Sequence, residues 1–145
     1  ELGPTNFAPT LNIAHNYASL EQHFGQALWV HRKGATLASI GTIGIIPGSQ
    51  GNHSYIVEGK GEPESFTSCA HGAGRKMGRH QAQKQLDLKN ETKKLEALDI
   101  IHAVRSNKDL DEAPGAYKDI EEVMANQTDL VAIRTKLMPC AVIKG

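Results

Sequence analysis

With 145 residues the chain is the length of one domain, and its 16 Lys plus Arg balance its 16 Asp plus Glu. Its overall charge therefore gives no generic attraction to nucleic acid or to an anionic membrane, and any affinity for phosphate has to be local. No run approaches the roughly 18 apolar residues of a spanning helix. Two cysteines, Cys69 and Cys140, with no C-x-x-C pair, make neither a disulfide framework nor a zinc ribbon, so the expectation is a soluble protein of the reducing cytoplasm, without a membrane partner.

In chain order, residues 11–17 alternate loosely enough for a strand, after Pro9 relegates what precedes them to an edge or loop. Residues 27–31 have the bulk of a second strand, and 39–46 and 54–57 read as further strands around a turn at 47–51. The period changes after Gly72. Residues 77–86 and 91–98 are rich in helix formers, 100–104 form a short apolar run, and 119–125 open on acidic residues as a helix does. Residues 130–143 read as a long or bulged strand pair broken near Pro139. The fold class is α+β, with a β-rich first half followed by helices and C-terminal strands. No repeat or linker divides residues 1–145, which form one unit. The start at Glu1 without Met, with the strongest polar motifs crowded into the first half, leads to the expectation that a further segment precedes it.

The stretch Ser68-Cys69-Ala70-His71-Gly72-Ala73-Gly74-Arg75 organises the functional reading. A helix starting near residues 72–74 would aim free N–H groups and its positive dipole end at whatever His71 holds, and an anion such as phosphate would fit there. The same small residues also make an ordinary turn before a helix, and the motif alone does not choose. His15, His31 and His71 stand among polar and small residues, where an imidazole serves as metal ligand, as nucleophile toward phosphorus, or only as a hydrogen-bonded structural group. His23, His53, His80 and His102 read as surface or partly buried. The run Pro47-Gly48-Ser49-Gln50-Gly51-Asn52-His53-Ser54 offers backbone N–H groups, hydroxyls and an amide to a nucleobase or ribose, or is simply a turn. Arg32 with Lys33, and Arg75 with Lys76 and Arg79, are two short basic clusters for phosphates or for solvent. Cys69 reads as a small buried residue rather than a ligand.

Taken together, Asn12-Ile13-x-His15-Asn16-Tyr17, His31-Arg32-Lys33-Gly34-Ala35, Ile46-Pro47-Gly48-Ser49-x-Gly51-x-x-Ser54-Tyr55, His71-Gly72-Ala73-Gly74-Arg75, Ala116-Tyr117-Lys118-Asp119 and Val142-x-Lys144-Gly145 resemble, in order and spacing, the C-terminal part of the RtcB-type RNA-splicing ligases. The resemblance covers essentially the whole chain. It implies part of a larger ligase fold that joins RNA 3′-phosphate or 2′,3′-cyclic phosphate ends to 5′-hydroxyl ends with GTP and Mn²⁺, in tRNA splicing or RNA repair. It also implies that His71 is guanylylated and passes GMP to the RNA, that His15 is a manganese ligand, and that Asn16 lies beside the nucleotide. By the same resemblance Pro47, Gly48, Ser49, Gln50 and Ser54 form the guanylate pocket, completed by His71, Gly72, Ala73 and Gly74, with Lys144 reaching the guanine and Tyr117 the base. RNA (tRNA halves or broken RNA), GTP and an activating protein such as archease are the implied partners. Gln50 and Gly78 depart from the family's usual Met and Ser. The family's metal-bridging cysteine and remaining metal ligands lie upstream of the H-N-Y motif, and Cys69 and Cys140 do not match them. Two further readings stay open: a guanylate- or RNA-binding piece that performs no ligation, and a metal-dependent phosphoesterase using His71.

Overall fold

The computed structural model describes residues 10–143. Strands β1 (Asn16–His23) and β2 (Gln26–Lys33) form an antiparallel hairpin, with Asn16 opposite Lys33 and His23 opposite Gln26. Its two-residue turn, Phe24-Gly25, has φ of 53° and 74°, the left-handed pair that matches the twist of a tight hairpin. β3 (Ala35–Leu37) continues from β2 and pairs antiparallel with β6 (Ser68–Ala70). β4 (Ile43–Ile46), β5 (Ser54–Gly59) and β8 (Val131–Leu137) make a three-stranded antiparallel sheet in the order β4-β5-β8. The short strands β7 (Ile101–His102) and β9 (Ala141–Val142) pair in parallel.

Along β5 the side chains alternate, and Tyr55 and Val57 turn inward to meet Ile46, Val131, Cys69, Ala73, Ile120 and Met124 in the main core. Helix α3 (Ile120–Ala125), capped by the Asp119 carboxylate accepting from Glu121 N–H, contributes Ile120 and Met124 to that core. A second core gathers Leu95, Ile100, Val104, Leu110 and Ala113 around helix α2 (Leu88–Glu96). Buried Glu91 on α2 accepts from Gly115 N–H at 2.9 Å, and Ala116 O in turn accepts from Lys76 N–H at 2.9 Å. The helical layer is thereby tied to the segment just after His71.

The α+β class and the strand-rich first half are as expected, but several elements differ. The first strand begins at Asn16 and ends at His23, not over 11–17, because its inward residues are polar and carry no apolar alternation. The strand expected over 39–46 is confined to Ile43–Ile46, since Gly41 turns with φ 76° and Thr42 N–H donates to Ser39 O. The apolar run 100–104 spends only two residues on β7. Residues 130–143 do break near Pro139, yet the halves do not pair with each other: β8 joins β5, and β9 joins β7. His23 is buried against Glu21.

Candidate functional site

The antiparallel pairing of β3 with β6, Thr36 opposite Cys69, brings the end of β6 beside the start of β3. His71 follows β6 directly, and its N–H donates to Gly34 O at 3.4 Å. His15 comes in from the other side: Gly34 N–H donates to His15 O at 3.3 Å and the Thr36 hydroxyl to Ala14 O at 3.2 Å. The two imidazoles stack with ring centroids 5.0 Å apart and planes 24° from parallel. Buried Gln127, beyond α3, accepts from Ala70 N–H at 3.0 Å and so fixes the residue before His71.

The loop after β4 closes over the Gly-rich turn. Ala73 N–H donates to Pro47 O at 3.0 Å, and a Cβ on Gly72 would stand 3.1 Å from that oxygen, tighter than a side-chain carbon ordinarily sits. Glycine at 72 is thus what lets the two loops touch. Within the loop, Gly48 N–H donates to the Ser54 hydroxyl at 3.3 Å. Among the described residues, Ser49 Oγ and Gln50 Oε1 are buried without a hydrogen-bond partner. Unmatched polar atoms of this kind are costly in a folded protein and are accounted for when a guest or water completes them.

The expected helix start behind His71 is not there. Helix α1 is Arg79–Gln85, with Gly78 as its N-cap. Between it and His71, Gly74 at φ 71° reverses the chain and Arg75 makes an antiparallel bridge with Tyr117, while Lys118 N–H donates to Gly74 O at 3.0 Å. Helix α1 therefore begins well after the Gly-rich turn and not at it. What surrounds this imidazole is a convergence of loops and strand ends.

The basic clusters are also mostly engaged. Arg32 is buried and donates to both oxygens of Glu21, to Phe66 O at 2.8 Å and to Ser68 Oγ at 3.0 Å, so it is not free for phosphate. Arg75 lies with its guanidinium carbon 4.9 Å from the Tyr117 ring centroid, donates to the Tyr117 hydroxyl at 3.0 Å and pairs with Glu112. Arg79 pairs with Glu112 and Asp111. Lys33 and Lys76 remain exposed. Tyr117 sits beside the Gly-rich turn with its hydroxyl donated to Glu112, and burial first, then Glu112, pushes its pKa up. Cys69 is buried as expected, and burial pushes its thiol up to about 11, which leaves it protonated.

Of the residues singled out in the sequence, the structure therefore brings together His15, Asn16 at the head of β1, Pro47, Gly48, Ser54 and the turn His71 to Gly74, with Tyr117 adjoining through Arg75. Lys144 lies outside the described residues. Gly34, Thr36, Gln127 and Glu112 were not singled out as site residues; only Gly34 carried a signal, as the Gly of the His31-Arg32-Lys33-Gly34 motif. For a metal, the two stacked imidazoles are what is available. Among the described residues no group of three or more His, Cys, Asp or Glu side chains is placed to hold an ion, so these residues do not by themselves fit the six-donor shell that manganese favours.

Against known proteins, the family model described as tRNA-splicing ligase RtcB matches residues 2–145. The chain belongs to the RtcB family. It is 45% identical over 135 residues to the RNA-splicing ligase RtcB of Escherichia coli (strain K12), covering 93% of this chain and 32% of that protein. It is 38% identical to the tRNA-splicing ligase RtcB of Nanoarchaeum equitans, covering 92% and 33%, and 35% identical to the RNA-splicing ligase RtcB of Mycobacterium tuberculosis, covering 92% and 36%. The chain thus spans about a third of the length of these curated relatives. No helix of the described residues is long and apolar enough to cross a membrane.

Proposed function

We propose that this chain is the C-terminal portion of a GTP- and Mn²⁺-dependent RNA ligase that joins 3′-phosphate or 2′,3′-cyclic phosphate ends to 5′-hydroxyl ends, acting on tRNA halves or broken RNA in the cytoplasm. The observation that carries this reading is the convergence of three sequence-distant motifs on His71: the His15 ring stacks on its ring, Gly34 O accepts from its backbone N–H, and Pro47 O accepts from the backbone N–H of Ala73 two residues on. A nucleophile held this way is oriented before its substrate arrives.

In this reading a His71 ring nitrogen attacks the α-phosphorus of GTP, the N–P bond forms as the bond to pyrophosphate breaks, and the GMP then moves to the RNA 3′-phosphate, which the 5′-hydroxyl attacks with loss of GMP. The stacked His15 fixes the plane of the His71 ring. The Ser49 hydroxyl and the Gln50 amide oxygen, both unmatched, lie in the loop assigned to the guanylate, with Ser54 and Gly48 closing its base; Lys144 and Tyr117 are the further residues assigned to the base. Asn16, next to His15 in sequence, is assigned to the nucleotide. Manganese would offset negative charge on the phosphates, and His15 is the ligand assigned to it here. An activator of the archease type belongs to the same proposal.

The lack of a three-donor metal group among the described residues favours a second reading for the chain in isolation, a guanylate- or RNA-binding piece that performs no ligation. Incubation with α-labelled GTP and Mn²⁺ separates the two. The 145-residue chain alone is expected to take up no label, and the protein at the full length of its relatives is expected to form an adduct that His71→Ala abolishes and His80→Ala, on the exposed face of α1, leaves near the parent level. Equal labelling of the His71→Ala protein and its parent would rule out the nucleophile; labelling of the 145-residue chain would show its site to be self-sufficient.

A further inference from the structure

The outward face of the β1–β2 hairpin sets exposed apolar side chains among amides, an imidazole and an ammonium. Cross-strand register puts Asn16 beside Lys33, Ala18 beside His31, Leu20 beside Trp29 and Gln22 beside Ala27, and all eight side chains are exposed. Trp29 is 66% exposed and Leu20 58%. This face carries no carboxylate: Glu21, the one acidic residue of either strand, turns inward to Arg32. The strip therefore presents amides, an imidazole, an ammonium and an indole in a row that starts beside His15 and Gly34.

We propose that this face is a track for single-stranded RNA, along which the strand whose end sits at His71 runs toward the hairpin tip, with Trp29 stacking on one of its bases. The inference rests on the RNA-joining reading of the site. Lys33 and Trp29 are four residues apart on one strand, about 14 Å, a span that covers a short run of nucleotides. Lys33 and His31 answer the phosphates, and the indole answers a base, the combination by which proteins hold single strands without reading sequence. A cleft of about 370 Å³ lined by Leu28, Trp29, Val30, His31 and Phe66 lies against the indole, apolar and aromatic as a base-holding site should be. Absence of acidic groups and continuity with the histidine pair favour a polyanion with planar bases over an apolar protein partner.

Trp29 is the only tryptophan of the chain, so its fluorescence reports the contact directly. A single-stranded RNA oligonucleotide ending in a 3′-phosphate is titrated into the 145-residue chain. The expected result is quenching on binding, a 5- to 150-fold loss of affinity in Trp29→Ala, the range that one stacked base is worth, and near-parent affinity in Trp29→Phe. Placing an abasic residue at successive positions from the 3′ end should find one at which parent and Trp29→Ala bind equally. Binding without quenching, or no difference between parent and Trp29→Ala, would overturn the track. So would quenching that follows protein concentration rather than RNA, which would make the face a protein contact. Because parent quenching is read without any variant, a Trp29→Ala protein that fails to fold leaves the test intact. GMP labelling of His71 is measured without RNA, so failure of the track and failure of the ligase reading are seen separately.

Discussion

The β1–β2 hairpin buries charged and polar side chains, and the β4-β5-β8 sheet buries apolar ones and Tyr55. In the sheet, Ile46, Tyr55, Val57 and Val131 turn inward, while Ile43, Ile133 and Leu137 stay exposed. In the hairpin, Tyr17, Ser19, Glu21, His23 and Arg32 turn inward beside Leu28 and Val30, and Leu20 and Trp29 stand in solvent. A charged interior is tolerable only when each group is matched, and here the buried guanidinium meets Glu21, Tyr17, Phe66 O and Ser68 while His23 meets Glu21 at 2.9 Å. The difference concerns direction. Apolar packing holds the sheet together without fixing which atom meets which, whereas the Arg32 fork ties β2 to residues 66–68 at one register. Two residues later comes Gly34, against which His71 is set.

The comparison breaks most visibly at Arg32. Arg32→Ala leaves the partly exposed Glu21 carboxylate without its guanidinium and should cost about 3 kcal/mol, at the low end of the range for breaking a buried pair, read from denaturant midpoints. Replacing both partners, Glu21→Leu with Arg32→Met, should recover most of that loss, since well-packed apolar groups stand in for a buried ion pair. A loss below about 1 kcal/mol in Arg32→Ala would mean that the network is incidental to the hairpin. In the sheet, Ile46→Ala should cost about 3 kcal/mol through the cavity it leaves, and no second substitution of a polar partner should restore it.

Acid separates the two regions further. The Arg32 guanidinium, against the opposing effect of burial and with help from Ser19 and His23, holds the Glu21 carboxyl down at about 2 from an ordinary 4.5. The folded value is the lower one, so this contribution is complete above about pH 4.5 and is lost as pH falls toward 2. Glu21→Gln should be less stable than the parent at pH 6 and should converge on it as pH drops toward 2.5, measured by thermal melts across that range. Ile46→Ala should run parallel to the parent over the same range. Divergence of the two curves toward acid would reverse the sign and remove Glu21 as the cause.

The same contrast explains what was legible in the sequence. Apolar residues within 39–46 and 54–57 announced strands because their burial is hydrophobic, and residues 119–125 announced α3 through an N-cap aspartate and an acidic first turn. The first strand was placed too early because Tyr17, Ser19, Glu21 and His23 give a period of two in polar residues, which hydropathy does not register. The motifs of the site were readable as residue types and in order, down to the glycines. What could not be read was how they meet: the pairing of β3 with β6, the bridge from Arg75 to Tyr117 that pushes α1 back to Arg79, and Gln127 reaching Ala70 over 57 residues of sequence are all tertiary. Arg32 looked like a phosphate ligand because sequence gives a charge but not its partner.

The smallest expected effect tests the hairpin's outer face. Leu20→Thr introduces a β-branched, strand-compatible side chain and removes apolar surface that is already 58% exposed. Neither the inward network nor the main core includes Leu20. Its stability change should therefore stay within about 0.5 kcal/mol of zero, as for surface positions without a special role. The same exchange at fully buried Ile46 places an unmatched hydroxyl in the core and should cost several times as much. Equal costs at the two positions, measured side by side in denaturant, would mean that Leu20 is covered in the folded protein. The inversion of the hairpin would then be only apparent, its apolar side being a second core interface and its open face the covered one.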